Sequence, residues 1–443
     1  MTTGIIGAGI SGLTVAHELQ QQGKAYHLWE ATGQPGGYIR SVREEVTGAD
    51  SGATYLRELG PNSLLGDEAL LNWLGRLGLQ AEIVFANDVS KARFIYRDGA
   101  YRELPGTPPG LLFGSFFSWK TKAAAVRELF NRSMSPTGET LGQFFRRRFT
   151  DEIVDYALGP FVAGIYAGDP DDLLVSETFP VLLDYERTYG SVLRGLIKNQ
   201  GKTARRQSFS FREGMQTLPR ALANRLTHLH LNTPVERLEQ TGSGWTVHVP
   251  GGAARVDRLV LAVDAPAAAR LLADLFPTVA AALRQIEYPP MTAVHTLYKR
   301  ADVAHPLNGF GGLNPAKEGR FSAGHIWSSS IFPHRCSPAD VLFTTFVGGA
   351  QRPQNAQLPD EAICARVHQE LTEAFGIRAN VPVQQAVFRW PRAIPQYNAK
   401  LLAAKALMPD LERHHLHVCA NWYGGVSLSD CLAKGRQWGR INA

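Results

Sequence analysis

A short apolar run, Thr3–Ile6, leads into Gly7-Ala8-Gly9-Ile10-Ser11-Gly12, and a helical stretch follows from Leu13 to Gln22 and stops at Gly23. No other feature restricts the fold so tightly. Three glycines at this spacing, between a strand and a helix, suit a turn that brings bare backbone up to a pyrophosphate. Gly7 permits the tight turn, Gly9 the close approach, and Gly12 close packing of helix on strand. The free amides and positive dipole end of the helix then face the phosphates. Ala25–Trp29 reads as a second strand ending at Glu30, roughly twenty residues on, where a carboxylate can take ribose hydroxyls. The chain opens with a βαβ dinucleotide unit. An acidic residue at this position argues against a 2′-phosphate, and so against NADP.

Composition narrows the remainder. At 443 residues the chain has room for two or three domains, and 44% hydrophobic against 19% charged residues supports a packed core rather than disorder. The net charge of +6 is diffuse, so nucleic acid is not expected, whereas anionic lipid or an acidic small molecule fits. Four cysteines (Cys336, Cys364, Cys419, Cys431) show no CxxC or zinc-finger spacing, which reads as free thiols in a reducing compartment. With no leader pattern and no apolar run of roughly 18–20 residues, the expected location is cytoplasmic, at most peripheral on a membrane face. There is no HExxH, GxSxG or metal-ligand cluster, so hydrolase and metal chemistry are not expected. His414, His415 and His417 read as a half-exposed strand edge.

Further along, Gly36-Gly37-Tyr38-Ile39-Arg40 sets two more glycines and a cation just after Glu30. That suits a cofactor extending past its pyrophosphate, and the pattern resembles the two-glycine-and-arginine signature of FAD-dependent amine-oxidase-like enzymes. A helix is expected over Asp67–Leu77, mostly helical chain over Leu111–Asn199, and a helix near Thr217–Leu226. Strands are expected around Leu229–Leu231, Val235–Leu238, Trp245–Val249, Leu259–Ala262 and His415–Ala420, with a last helix over Ser427–Arg436.

Five segments occur in one order: Leu59-Gly60-Pro61-Asn62-Ser63-Leu64, Gly159-Pro160 through Ala167-Gly168-Asp169-Pro170, Phe211-Arg212-Glu213-Gly214-Met215, Ala393-Ile394-Pro395-Gln396-Tyr397 and Gly424-Gly425-Val426-Ser427-Leu428-Ser429-Asp430-Cys431. Together they resemble the protoporphyrinogen and coproporphyrinogen oxidase family of the flavin amine oxidase superfamily, over essentially the whole chain. Gly159 and Asn398-Ala399-Lys400-Leu401 depart from the family pattern and bear on pocket shape.

The resemblance implies an α/β fold: a discontinuous Rossmann-like FAD-binding domain (1–85, 205–265 and 409–443), an α+β substrate domain (86–104 and 266–408) and a mostly helical insertion (105–204). It implies non-covalent FAD on Gly7, Ala8, Gly9, Ile10, Ser11, Gly12, Glu30, Ala31, Tyr38, Arg40, Gly60, Pro61, Asn62 and Ser63. Val235 would meet the adenine from a strand edge, and Asn421, Val426, Ser427 and Leu428 would meet the flavin. The free amides opening the last helix would there face charge building on the reduced ring. For substrate, Arg93 would hold a propionate, Asn62 would lie by the isoalloxazine, and Gly164 would leave room for the macrocycle. A guanidinium suits the first role because it binds a carboxylate through two parallel bonds.

The implied reaction removes six electrons from protoporphyrinogen IX in haem biosynthesis, with dioxygen as acceptor and hydrogen peroxide as product, and needs no dedicated side-chain acid or base. Coproporphyrinogen III as substrate, a flavin amine oxidase, and a porphyrin carrier holding flavin structurally stay open as alternatives. So do the oligomeric state, a homodimer included, and the role of one surface. Leu111-Leu112-Phe113, Phe116-Phe117 and Trp119, edged by Lys120, Lys122, Arg127 and Arg132, suit a peripheral membrane contact or a cover over the pocket. Arg146-Arg147-Arg148, after Phe144-Phe145, reads as part of the same basic face.

Overall fold

The computed structural model describes residues 1–47, 52–106, 108–201 and 206–441, without the side chains of residues 108, 109 and 112. The 204/205 division and Leu112 of the apolar cluster therefore lie outside the described residues.

The glycine motif sits where a parallel five-stranded sheet turns into its first helix. The sheet order is Leu229–His230, Tyr26–Trp29, Thr3–Ile6, Arg258–Leu261, Leu416–Val418, all parallel. Its strands come from three separated stretches of chain, as a discontinuous Rossmann-like unit requires. The expected α/β class holds. The first helix spans Ile10–Gln21, three residues earlier than expected, because Gly9 is its N-cap. Every residue from Ile10 to Leu19 is buried. One face meets the sheet through residues such as Leu13 and Leu19, both 0% exposed, each worth about 2–3 kcal/mol of burial. The other face meets the last helix, Leu428–Ile441. Gly435 and Gly439 make that approach close: a Cβ on either would come within 3.0 Å of Thr14 or of Glu18.

Asp67 caps the helix Glu68–Arg76 by accepting from the Leu70 amide at 3.0 Å, within the expected span. The second expected strand at Val235–Leu238 begins later, at Arg237. Pro234 has no amide to donate, and pairing starts only when Glu236 N–H reaches His248 O at 2.9 Å. Val235 therefore precedes its strand, buried at 8% exposure. An unexpected strand, Gly252–Val256, completes a three-stranded antiparallel meander with Arg237–Thr241 and Gly244–Val249. The last strand shrinks to Leu416–Val418 because His415 adopts φ +56°.

A second sheet has seven strands in the order Gln384–Trp390, Met291–Lys299, Asp340–Gly348, Gly324–Trp327, Gly311–Leu313, Phe94–Arg97, Ala100–Glu103. All its pairs are antiparallel except Gly311–Leu313 on Phe94–Arg97. Chain from the early 90s thus joins chain from 291–390. The helices between Trp119 and Asn199 cover the face bearing Ile95, which packs with Phe116, Phe117 and Tyr156.

Candidate active site

The glycine loop is built around space. Gly7 has φ +101°, and a Cβ there would lie 2.7 Å from Ala262 O; a Cβ on Gly12 would lie 2.0 Å from Gly7 O. A Cβ on Gly9 would meet nothing within 4 Å. Gly7 and Gly12 are glycines because protein surrounds them, whereas Gly9 borders a void. Ala8 N–H donates to Glu30 Oε2 at 2.8 Å, and Thr32 donates to Oε1 from its amide at 3.0 Å and its hydroxyl at 2.8 Å. The carboxylate is thereby held beside the loop, with Ala31 exposed next to it.

The second glycine pair closes over the first. Gly36 N–H donates to Ala8 O at 2.8 Å, and a Cβ on Gly37, at φ +59°, would lie 3.3 Å from Gly9 Cα. Arg40 lies 5.9 Å from the Trp390 ring and has no carboxylate partner among the described residues. The Tyr38 hydroxyl donates to Arg392 O at 3.1 Å, and burial pushes its pKa up to about 12. Gly60 packs on Tyr38, whose carbonyl leaves no room for a Cβ. The structure brings Gly7–Gly12, Glu30, Tyr38, Arg40 and Gly60 to one place. Such a cradle fits a dinucleotide: bare backbone with open space, an oriented carboxylate and an unpaired cation.

Pro61, Asn62 and Ser63 form a half-buried loop after Gly60. Donors from the seven-stranded sheet and its connections fasten this stretch. His295 Nε2–H reaches Glu58 O at 2.9 Å, Trp390 Nε1–H reaches Leu59 O at 2.6 Å, and Arg335 reaches Asn62 O at 2.9 Å. Arg335 also pairs with Glu58 at 2.6 Å, and both are buried. Glu58 further accepts from Ser41 and from the Met215 amide. Burial pushes the Glu58 carboxyl up and the Arg335 guanidinium down, against the stabilising donors. Burial, then the nearby Arg57 guanidinium, holds the His295 imidazole down at about 4, so it is neutral at pH 7. None of these three donors was expected from the sequence. Glu58, charged in an apolar strand next to a motif, was the available signal.

Arg93 lies just before the strand Phe94–Arg97, its guanidinium 4.6 Å from the Phe310 ring. It has no carboxylate partner among the described residues. It is exposed, and the protein packed around part of it lowers its pKa. Gly164 is on the helix Gly159–Tyr166, and a Cβ there would come 3.3 Å from Leu313 Cδ2. The missing side chain thus admits Leu313, and the macrocycle space expected beside it is partly taken by that leucine. Phe161 and Ile165, 43% and 40% exposed, share the helix face with Gly164. Arg93 stands two residues before Ile95, on the same side of extended chain, and Ile95 pairs with Leu313, so Arg93 and Gly164 border one region.

The last loop departs from expectation. Ser427 and Asp430 cap each other: Asp430 Oδ2 accepts from Ser427 N–H at 3.2 Å and Oγ–H at 2.7 Å. The helix N-terminus expected to offer free amides to a reduced ring already holds a carboxylate. The loop's positive charge comes instead from Lys434, whose Nζ donates to Ala420, Tyr423 and Gly425 carbonyls at 2.6, 2.5 and 2.9 Å. Tyr397 Oη–H donates to Asn421 O at 2.5 Å, fixing Asn421 near the half-buried Val426. Cys419 and Cys431 are buried, and burial pushes the first up to about 12 and raises the second.

The apolar–basic cluster divides in two. Phe116 and Phe117 are buried, whereas Phe113, Trp119 and Phe130 are 85%, 81% and 72% exposed. The Arg146–Arg148 run is no basic face. Arg146 binds Asp151 and Asp171, Arg147 binds Glu139 and Glu186, and Arg148 is fully buried between Glu128 and Glu186. Charges on a helix flanked by acidic segments pair inward, which a linear reading of the run does not reveal. No helix among the described residues is long and apolar enough to cross a membrane.

The family described as flavin containing amine oxidoreductase matches residues 10–437. The chain is 31% identical to mitochondrial protoporphyrinogen oxidase of Nicotiana tabacum, over 97% of this chain and 92% of that one. It is 29% identical to protoporphyrinogen oxidase of Homo sapiens, over 98% and 97%. A structure from Exiguobacterium sp. 255-15, named provisionally a protoporphyrinogen oxidase, shares the fold at TM-score 0.81 and 21% identity, over 100% and 98% of the two chains. Cyclohexylamine oxidase from Brevibacterium oxydans shares it at TM-score 0.69 and 18% identity, over 99% and 98%. Alike over nearly its whole length to these flavoproteins, the chain belongs to the flavin containing amine oxidoreductase family, in its protoporphyrinogen oxidase group.

Proposed function

We propose that this chain is an FAD-dependent oxidase that converts protoporphyrinogen IX to protoporphyrin IX, with dioxygen as acceptor. The observation that carries the reading is the Arg93 guanidinium, over the Phe310 ring and without a carboxylate partner among the described residues. It leads into the sheet whose strands also fasten the Glu58 and Leu59 carbonyls before the Asn62 loop. An accessible cation without a carboxylate partner suits an anionic substrate group. When bound, the flavin supplies the two-electron acceptor. The glycine loop lets backbone approach the pyrophosphate, Glu30 accepts from ribose hydroxyls, and Arg40 offers a charge to the phosphate end. Arg93 grips a propionate in bidentate fashion, and Phe310, Phe161 and Ile165 supply apolar surface around it. In this reading the stretches 1–85, 205–265 and 409–443 form the cofactor unit, 86–104 and 266–408 the substrate unit, and 105–204 the helical cover. FAD binding is non-covalent in this reading: the thiols of the last segment, Cys419 and Cys431, are buried with raised pKa values, and a protonated thiol is a poor nucleophile. Mixing the yellow protein aerobically with protoporphyrinogen and with coproporphyrinogen, and following porphyrin fluorescence, tests substrate and reaction together. A preference for the four-propionate substrate would move the assignment to coproporphyrinogen.

A membrane-facing surface is supported by Phe113, Trp119 and Phe130 standing out beside Lys120, Arg127 and Arg132, cations with no carboxylate partner among the described residues. Aromatic side chains edged by cations suit the headgroup layer of an anionic leaflet. Pelleting with anionic vesicles at low salt tests it; protein left in the supernatant contradicts it.

A further inference from the structure

We propose that Arg335, with Trp390 and His295, is a positioning device that sets the flavin-side loop against the sheet carrying the substrate anchor. The inference rests on the proposed flavin site and adds residues to it. The carbonyls of Glu58, Leu59 and Asn62 share one kind of partner. Each is taken by a side chain from the substrate side: His295 in the strand Met291–Lys299, Trp390 at the end of Gln384–Trp390, and Arg335 in the turn Pro333–Arg335. The first two strands are neighbours at one side of the sheet, and Arg93 leads into Phe94–Arg97, next to its opposite edge. The sheet that leads to the substrate anchor therefore also holds the Glu58 and Leu59 carbonyls, and Arg335, in a turn beside it, holds the Asn62 carbonyl.

Arg335 is the hub. Its planar fork spends one amine on Glu58 Oε1 at 2.6 Å and the other on Asn62 O at 2.9 Å and Ser210 Oγ at 2.8 Å. Glu58 in turn accepts from Ser41 and the Met215 amide, which tie the network to the dinucleotide unit. Arg335 is 1% exposed, so nothing in solvent replaces these bonds. A lysine could answer the Glu58 charge, but a single ammonium cannot reproduce the two-sided fork. Hydride transfer depends steeply on distance and angle, and a misplacement of about 1 Å can lower the rate by about a hundredfold. A loosened Asn62 loop should therefore slow the transfer step without emptying either binding site.

The test compares Arg335→Lys, Trp390→Phe and the unsubstituted holoenzyme. Flavin content, visible circular dichroism of the bound flavin, porphyrinogen dissociation constant and anaerobic flavin reduction are measured for each. The proposal expects near-stoichiometric flavin, substrate affinity within about twofold, an altered flavin dichroism, and reduction by porphyrinogen slowed at least tenfold in Arg335→Lys. Reduction by dithionite, which needs no aligned substrate, should be unchanged. Unaltered dichroism and reduction rate overturn the proposal, and so does a loss of rate wholly accounted for by empty flavin sites. If Arg335→Lys does not fold, Trp390→Phe decides on the same criteria. If the unsubstituted protein does not react with porphyrinogen, the functional reading fails, and the dichroism alone decides the positioning role.

Discussion

Gly9→Val separates what the glycine loop does for the fold from what it does for the cofactor. Gly9 has φ −68° and ψ 174°, a conformation open to any L-residue, and a Cβ there meets nothing within 4 Å. The apoprotein should therefore tolerate the valine, with a change in stability below about 1 kcal/mol. Gly12→Ala is the opposite case. Its Cβ would lie 2.0 Å from Gly7 O, so backbone must shift, at about 1–3 kcal/mol. For the cofactor the order reverses, because the valine occupies the space left for the pyrophosphate. Free FAD at a hundred times its dissociation constant stabilises the unsubstituted protein by about 2.7 kcal/mol, an increase of several degrees in melting temperature. Gly9→Val should show no such increase and should elute colourless from gel filtration, with an apo melting temperature near that of the unsubstituted apoprotein. Stoichiometric flavin in Gly9→Val would refute the reasoning, as would an apoprotein destabilised as much as Gly12→Ala.

Arg93→Ala should keep its flavin and lose a charge-assisted contact of roughly 1.5–3 kcal/mol, read as a 10- to 100-fold rise in KM for porphyrinogen; unchanged kinetics would remove the carboxylate-anchor role. Denaturing the yellow protein should release all its flavin to the supernatant, and colour remaining with the precipitate would contradict non-covalent binding. Stability should fall as pH drops below 6.5. Burial lowers His295 to about 4 and His325 to about 3 from 6.5, so between these values only the unfolded chain takes up their protons. Each histidine then removes up to about 1.4 kcal/mol per pH unit. Urea midpoints at pH 7.5, 6 and 5 check this, and a midpoint that holds steady or rises would count against it.

The parts of the fold that depend on neighbours in sequence were legible, and those that depend on distant partners were not. Gly7, Gly9, Gly12 and Glu30 announce a βαβ unit because their roles are settled within one turn of backbone and one strand. The helix expected over Asp67–Leu77 is legible for the same reason, its leucine spacing being local, although Asp67 proves to be its cap. Val235 was misplaced by two residues because Pro234 delays pairing, and the strand Gly252–Val256 was missed because its alanines carry little alternating pattern. Arg146–Arg148 resembled a basic face, yet their carboxylates come from segments as far as 39 residues away. Glu58 and Arg335 are separated by 277 residues, so no local pattern could pair them. Ser427 was expected to offer its amide outward, but Asp430, only three residues on, had already taken it. That pairing was within reach of a capping argument.

The central claim is that the Arg93 guanidinium and the dinucleotide cradle belong to one oxidase. Anaerobic mixing of the holoenzyme with protoporphyrinogen IX, followed at the flavin absorbance near 450 nm, tests it directly. Rapid bleaching that needs both bound flavin and the Arg93 side chain, with porphyrin fluorescence and hydrogen peroxide appearing once air is admitted, is the predicted result. A flavin that stays oxidised with porphyrinogen but bleaches with a primary amine would contradict the account and place this chain among amine oxidases.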